Sequence, residues 1–581
     1  MVRLGALVGG LVLFAAACDG ASSPELPLTT SPRTLDLKQA SSGPGVQRVY
    51  GYTGQGGFGV PVAGGQDCTG DGRPDYAFSA MRASPLGREF AGEVYLVIGD
   101  GRVAGMLDSA VGGPRILRIL GGGPHETTGS EIWMDDVTGD GLSDILIARQ
   151  NFTPNASRIG AGALTIVMGS TRLAELAAAN AVLDLLQPPS GVVVTTLVGG
   201  QSLGRLGIWM RTGDITGDGV TDLVVGADQE DRLGEIQRGA LYVVRGGQHL
   251  AGAGFIDLAD VSTSVLAEDI LRIDPPSPST GFHFGGTCQV ADLDGNGRSE
   301  VLVAATINRI GAGLPAAGAE PQSAELFGGA PGGRVYVLWD DNFAAEVWTP
   351  ARSFTAGAGL GQLTTLTGVS GGRNFGEEII GGCDFDGNGA ADLFVGDLTG
   401  DASPRADRPT SGIGYVLYDF TGLKGRDVAI NEPPADVRVS LFFGAARDHL
   451  AADTAACGDI DGDGYDDLVF SAPHASPQGR FHAGMVYVFW GGAAKWPEEI
   501  DLLDISTLQE SGVAARIDGA RGSNNQRDGD TLGYSAAIGD VDGDGRMDLI
   551  LNEMLGDGLG PGTVNVGNLL LLSGAMLSTL H

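Results

Sequence analysis

At 581 residues, with 43% hydrophobic and 18% charged side chains, the chain has the length and balance of a globular protein with a large core, not of a disordered one. A formal net charge of -35 with only 36 Lys and Arg excludes a nucleic-acid partner, which needs clustered cations. The 97 glycines, far above the roughly 7% share of ordinary proteins, mean frequent turns with short strands between them.

Arg3 precedes an apolar run over residues 4–17, which reads as a signal peptide covering 1–17. The run is shorter than the roughly 20 residues of a spanning helix, and no later run reaches that length. Ala15-Ala16-Ala17-Cys18 resembles the lipobox of bacterial lipoproteins, although that motif more often has Leu where Ala15 stands. The resemblance implies acylation of Cys18, so the protein is expected to be exported and membrane-anchored, periplasmic or at the cell surface. Residues 18–45, rich in Ser, Pro, Thr and Gly, read as a tether. The other cysteines, Cys68, Cys288, Cys383 and Cys457, form no CxxC pair and are expected to be buried free thiols.

From residue 46 onward the chain repeats itself. A strand at 46–54 (VQRVYGYTG) is followed by seven acidic loops, DCTGDGRPD from Asp67, DVTGDGLSD from Asp136, DITGDGVTD from Asp214, DLDGNGRSE from Asp292, DFDGNGAAD from Asp384, DIDGDGYDD from Asp459 and DVDGDGRMD from Asp540. Apolar strands such as DLVVGA from Asp222 and GALYVVRG from Gly239 follow the loops. A further strand precedes most loops, as in RILRILGG, VVVTTLVGG, LTTLTG, VRVSLFFG and AARIDGA.

Each loop places oxygen-bearing side chains at positions 1, 3, 5 and 9, with Gly at 4 and 6 to permit the sharp turn that lets them converge. The candidate ligands are Asp67, Thr69, Asp71 and Asp75; Asp136, Thr138, Asp140 and Asp144; and Asp214, Thr216, Asp218 and Asp222. The later loops offer Asp292, Asp294, Asn296 and Glu300; Asp384, Asp386, Asn388 and Asp392; Asp459, Asp461, Asp463 and Asp467; and Asp540, Asp542, Asp544 and Asp548. An all-oxygen set of flexible geometry suits Ca²⁺ better than Mg²⁺, and no soft ligand is offered. Up to seven Ca²⁺ are expected. The bidentate Glu of an EF-hand and its helical flanks are missing.

Seven such loops in register resemble the FG-GAP repeats of integrin α chains and of bacterial surface proteins; Phe58-Gly59, Phe284-Gly285 and Phe375-Gly376 match the name-giving dipeptide. The resemblance covers residues 46–581 and implies an all-β fold, a seven-bladed β-propeller of four-stranded blades whose calcium-binding loops join first strands to second. The strand at 46–54 is expected to supply the missing fourth strand of blade seven and so close the ring. Thr at position 3 of the first three loops, and Asn at position 5 of the fourth and fifth, leave those five with three carboxylates each. The loops at Asp459 and Asp540 carry four and are expected to bind most tightly.

The calcium is read chiefly as a staple, with function in a cell-surface binding or adhesion module. The resemblance puts an unidentified protein or glycan partner on the face opposite the calcium loops, where residues 307–332, 396–411 and 520–531 form long loops. A monomer is expected, without nucleic acid, touching the membrane only through Cys18. The alternative is a hydrolase or lyase acting on extracellular polymer. No catalytic motif supports it: the GxSxG match at 368–372 lacks the strand-turn-helix context of a nucleophile elbow, and His474 with His482 reads as a solvated loop pair. A cluster of acidic, Arg or Tyr side chains at the mouth of the ring would favour catalysis, and a flat or merely polar mouth would oppose it.

Overall fold

A computed structural model describes residues 33–581 except 41–42, 53–56, 232–235, 277–282, 307–332, 345–346, 350–351, 358–360, 369–373, 399–407, 409–410, 445–453, 524–528 and 560–562. The signal-peptide and lipobox readings, the GxSxG serine and most of the long loops lie outside the described residues.

The β-branched and aromatic runs form strands that assemble into seven sheets, the blades of a propeller. Blade one pairs Phe58–Gln66, Asp75–Ala80, Glu93–Val97 and Ile116–Leu120, each antiparallel to the one before. Blade two repeats this with Thr128–Asp135, Asp144–Arg149, Ala163–Val167 and Val194–Val198. Blade three has Met210–Gly213, Asp222–Ala227, Ala240–Val244 and Ile270–Asp274. Phe284–Ala291, Glu300–Ala305, Arg334–Leu338 and Leu363–Thr367 build blade four. Phe375–Cys383, Asp392–Asp397, Ile413–Leu417 and Val439–Phe443 build blade five. Blade six has Ala455–Gly458, Asp467–Ala472, Met485–Phe489 and Ala514–Asp518. Blade seven takes Leu532–Gly539, Asp548–Glu553 and Asn568–Leu572 from the end of the chain, and Val46–Tyr50 pairs antiparallel with the last of these.

The blades are five-stranded, not four-stranded as the resemblance implied. A short outer strand runs parallel to the fourth: Val182–Asp184 on blade one, Gly254–Asp257 on two, Ser353–Thr355 on three, Asp427–Ala429 on four, Glu499–Asp501 on five and Gly105–Asp108 on seven. Each is lent by the following blade from between its third and fourth strands. The outer strand of blade six obeys the same rule, because it is Thr34–Asp36, just ahead of Val46–Tyr50. Part of the segment read as a tether thus belongs to the propeller, with Arg33 Nη1 donating to the Gln509 carbonyl at 2.7 Å.

The core lies between blades. Phe442, Phe470 and Phe489 meet between blades five and six, and Val469 and Val486 face Leu549 and Leu570 between six and seven. Val49 and Leu569 meet Phe58, Phe78 and Tyr95 between seven and one. Phe58, Phe284 and Phe375, which open their first strands, are fully buried in these layers. Cys383 and Cys457 form a disulfide between the first strands of blades five and six, which corrects the expectation of free thiols; Cys68 and Cys288 are buried and free. Two cysteines 74 residues apart meet because adjacent blades bring equivalent strands side by side. Among the described residues no helix is long and apolar enough to cross a membrane.

Candidate metal loops and a central funnel

All seven acidic loops join first to second strands at one end of the ring and adopt one conformation. The Gly residues at positions 4 and 6 have φ between 67° and 91°, where a Cβ would be strained. The first Asp organises the turn: Asp136 Oδ1 accepts from Gly139 N at 2.7 Å and its Oδ2 from Gly141 N at 2.8 Å, and Asp67, Asp214, Asp459 and Asp540 do the same. Asp292 and Asp384 accept from positions 5 and 6.

The acid at position 9 is buried in every loop and latches it to the turn after the third strand. Asp467 Oδ2 accepts from Ile460 N and Oδ1 from Gly491 N, both at 2.9 Å. Asp75, Asp144, Asp222, Asp392 and Asp548 repeat this with Gly99, Gly169, Gly246, Asp419 and Gly574. Glu300 does so with Asp340. Burial pushes these carboxyls up, to about 6 at Asp144, Asp222 and Asp548, about 7 at Glu300 and Asp392, and about 8 at Asp467; Asp75 is also raised. A positive charge inside the loop would draw them back down.

The donor set fits a hard divalent cation. Carboxylate oxygens converge within 4.8 Å in Asp292, Asp294 and Glu300, in Asp384, Asp386 and Asp392, in Asp459, Asp461 and Asp467, and in Asp540, Asp542 and Asp544. At position 3, Thr216 Oγ1, Asp294 Oδ1 and Asp542 Oδ1 are buried without a hydrogen-bond partner among the described residues, an arrangement that a bound cation would relieve. Two carboxylates outside the nine-residue motif lie beside these loops: Asp340 and Asp419 stand where the other five blades have Gly, and each accepts from the Asn amide of its loop. The carboxylates that converge in the fourth and fifth loops number three in each, those of the nine-residue motif. His581 Nδ1 contacts Asp461 Oδ2 in the sixth loop, with its ring stacked on Trp490.

The opposite end of the ring carries a cavity of about 270 Å³, lined among the described residues from six of the seven blades. Phe58 pairs with Ala80 at this end and Gln66 with Asp75 at the loop end, so residues that start first strands or follow second strands ring the opening. Arg211 lies between two indoles, 4.4 Å from the Trp133 ring and 4.9 Å from that of Trp209. Its Nη1 pairs with Glu131 at 3.0 Å. Arg205 grips Asp228 with two hydrogen bonds of 3.0 and 2.5 Å, and His283 Nδ1 lies 3.2 Å from the same carboxylate. Although Asp228 is buried, these two partners hold its carboxyl down at about 2. Trp209 Nε1 is buried without an acceptor among the described residues. Arg82, Glu377 and Tyr534 also face the cavity. Sequence reading singled out none of these residues, since they come from separate repeats. His474 and His482 meet edge to face at 5.0 Å, away from this lining.

The family model described as the FG-GAP repeat matches residues 207–244, 451–489 and 532–571, in blades three, six and seven. The chain carries FG-GAP repeats. With its seven blades, it is consistent with an integrin α N-terminal-like propeller, and the other four blades share the loop geometry. No curated protein matches the chain. Among solved structures it is similar to the exotype rhamnogalacturonan lyase YesX, at 13% identity and a TM-score of 0.30, covering 91% of this chain and 76% of that one. It is also similar to rhamnogalacturonan lyase YesW, at 12% identity and a TM-score of 0.25, covering 91% and 68%. At those scores neither likeness bears on function.

Proposed function

We propose that the protein is an exported propeller, stapled by calcium in its acidic loops and shut into a ring by its N-terminal strand, that binds a surface ligand in the funnel at the opposite end. The funnel carries this reading. It joins indole edges, amides, hydroxyls and charged groups in one concave site, the composition of a specific ligand pocket. Its ion pairs Arg211–Glu131 and Arg205–Asp228 neutralise each other internally, which favours an uncharged, hydroxyl-rich ligand such as the end of a glycan. The Cys383–Cys457 bond supports export, because structural disulfides persist in oxidising compartments. Anchoring through Cys18 accords with a surface role, and Cys18→Ser should release the protein from membranes.

Screening the purified chain against glycans and surface proteins tests the binding role. Trp209→Ala should abolish the signal, while Asp71→Asn in a distant loop should leave ligand affinity unchanged. Binding that survives Trp209→Ala would move the site elsewhere. A second reading, cleavage of an extracellular polymer, is favoured by one observation: Arg82, Glu377, His283 and Tyr534 give the mouth the acidic, Arg and Tyr character an enzyme would need. New chain ends released from a polysaccharide and lost in Tyr534→Phe would establish it; unchanged polymer would leave the binding module.

A further inference from the structure

The fourth and fifth loops differ from the rest in a correlated way. Position 5 is Asn instead of Asp, and the turn after the third strand supplies Asp340 or Asp419 instead of Gly. The Asn amide donates to that relocated carboxylate, Asn296 Nδ2 to Asp340 Oδ2 at 3.2 Å and Asn388 Nδ2 to Asp419 Oδ1 at 2.5 Å. A lysine then bridges the relocated carboxylate and the position-3 Asp. Lys424 Nζ lies 3.4 Å from both Asp294 Oδ2 and Asp340 Oδ1, and Lys495 Nζ lies 2.8 Å from Asp386 Oδ2 and 2.7 Å from Asp419 Oδ2.

Each lysine also sits over an aromatic ring of the blade whose loop it serves, Lys424 at 4.9 Å from the Trp339 centroid and Lys495 at 4.8 Å from that of Tyr418. Both lysines ride on the segment by which one blade lends its outer strand to the blade before it. Among the described residues no Lys or Arg makes an ion pair with the acids of the other five loops, where the one basic contact is that of His581 with Asp461. The Gly-to-Asp change, the Asp-to-Asn change and the lysine therefore form one device, used twice.

We infer that Lys424 and Lys495 are resident cations that take the place of calcium in the fourth and fifth loops, clamping blade five to four and blade six to five without metal. A lysine ammonium offers one fixed positive charge and three donors, and here it is met by two carboxylates and an aromatic face. Calcium entering either loop must displace the ammonium from the position-3 carboxylate or share it against like-charge repulsion. The calcium-dependent loops are then the first, second, third, sixth and seventh. This inference rests on the calcium reading of the loops.

The test is a calcium count by equilibrium dialysis on the mature chain, for wild type, Lys424→Met, Lys495→Met and the double variant, with melting temperatures in calcium and in chelator. Wild type should hold five tightly bound ions, each single variant one more and the double variant two more. The variants should melt lower than wild type in chelator and recover when calcium is added. If the double variant fails to fold in chelator, refolding it in calcium keeps the count readable. Equal calcium counts in all four proteins, or a melting deficit that calcium does not repair, would overturn the stand-in role while leaving calcium at the other loops. A wild type that retains no calcium would overturn the calcium reading and the stand-in with it.

Discussion

Replacing Arg48 by Met probes whether the N-terminal strand holds the ring shut without deleting any of it. Arg48 lies in Val46–Tyr50 and reaches across to blade seven, where its Nη1 is 2.7 Å from both carboxylate oxygens of Glu553. The side chains are only 7% and 2% exposed, so the pair is desolvated. With Arg48 gone, Asn568 Nδ2, at 3.1 Å, remains beside a buried carboxylate that it cannot neutralise. Removing one partner of a buried pair costs about 3–5 kcal/mol, a large part of the roughly 5–15 kcal/mol that stabilises a typical fold. Urea unfolding followed by tryptophan fluorescence should show a midpoint lowered by up to about 1 M, since the slope of stability against urea is steep for a chain of this size. A double-mutant cycle with Glu553→Gln should return a coupling of about 1–3 kcal/mol. Arg426→Met, which breaks the exposed pair with Asp436, should leave the midpoint unchanged. A change of less than about 0.5 kcal/mol in Arg48→Met would place that strand outside the cooperative ring.

Reduction of Cys383–Cys457, or the Cys383→Ala/Cys457→Ala variant, should cost about 4 kcal/mol for a bridge spanning 74 residues. Thiol titration of the unfolded, unreduced protein should leave Cys383 and Cys457 unreactive, and reaction at either would contradict the pairing. In the funnel, Asp228 has a carboxyl held at about 2, below its unfolded value near 3.9. Its contribution is therefore complete above that unfolded value and fades as pH falls toward 2. Asp228→Asn should lower stability by about 2 kcal/mol at pH 7, and the gap from wild type should narrow between about pH 4 and 2. A gap that stays constant with pH would mean that Arg205 and His283 do not act on that carboxylate as charges.

The loops and the second and third strands were legible because each is local: an acid and Gly pattern within nine residues, then a run of Val, Ile and Leu. The outer strands escaped notice because they are three or four residues long and gain their partners from another repeat. A signal was present nonetheless, since TLDL at 34–37 recurs as VLDL at 182–185, FIDL at 255–258 and EIDL at 499–502. That match would have placed residues 34–37 in the fold instead of in the tether. The fourth strand of blade three, Ile270–Asp274, was missed although ILRID resembles the ILRIL of blade one. Asp340 and Asp419 are the last residues of GRVYVLWD and GIGYVLYD, some 30 residues or more beyond the first Asp of their nine-residue motifs. The funnel could not be read at all, because a ring gathers Arg82, Trp133, Trp209, Glu377 and Tyr534 from five different blades.

Calcium removal tests the account most directly. Each loop filled at about 100 times its Kd contributes roughly 2.7 kcal/mol, so five would contribute on the order of 10 kcal/mol. Scanning calorimetry of the mature protein should show a large fall in melting temperature in chelator, fully reversed by added calcium and not by magnesium. A melting temperature that is the same with calcium and with chelator, in a protein that retains no calcium after dialysis, would contradict it.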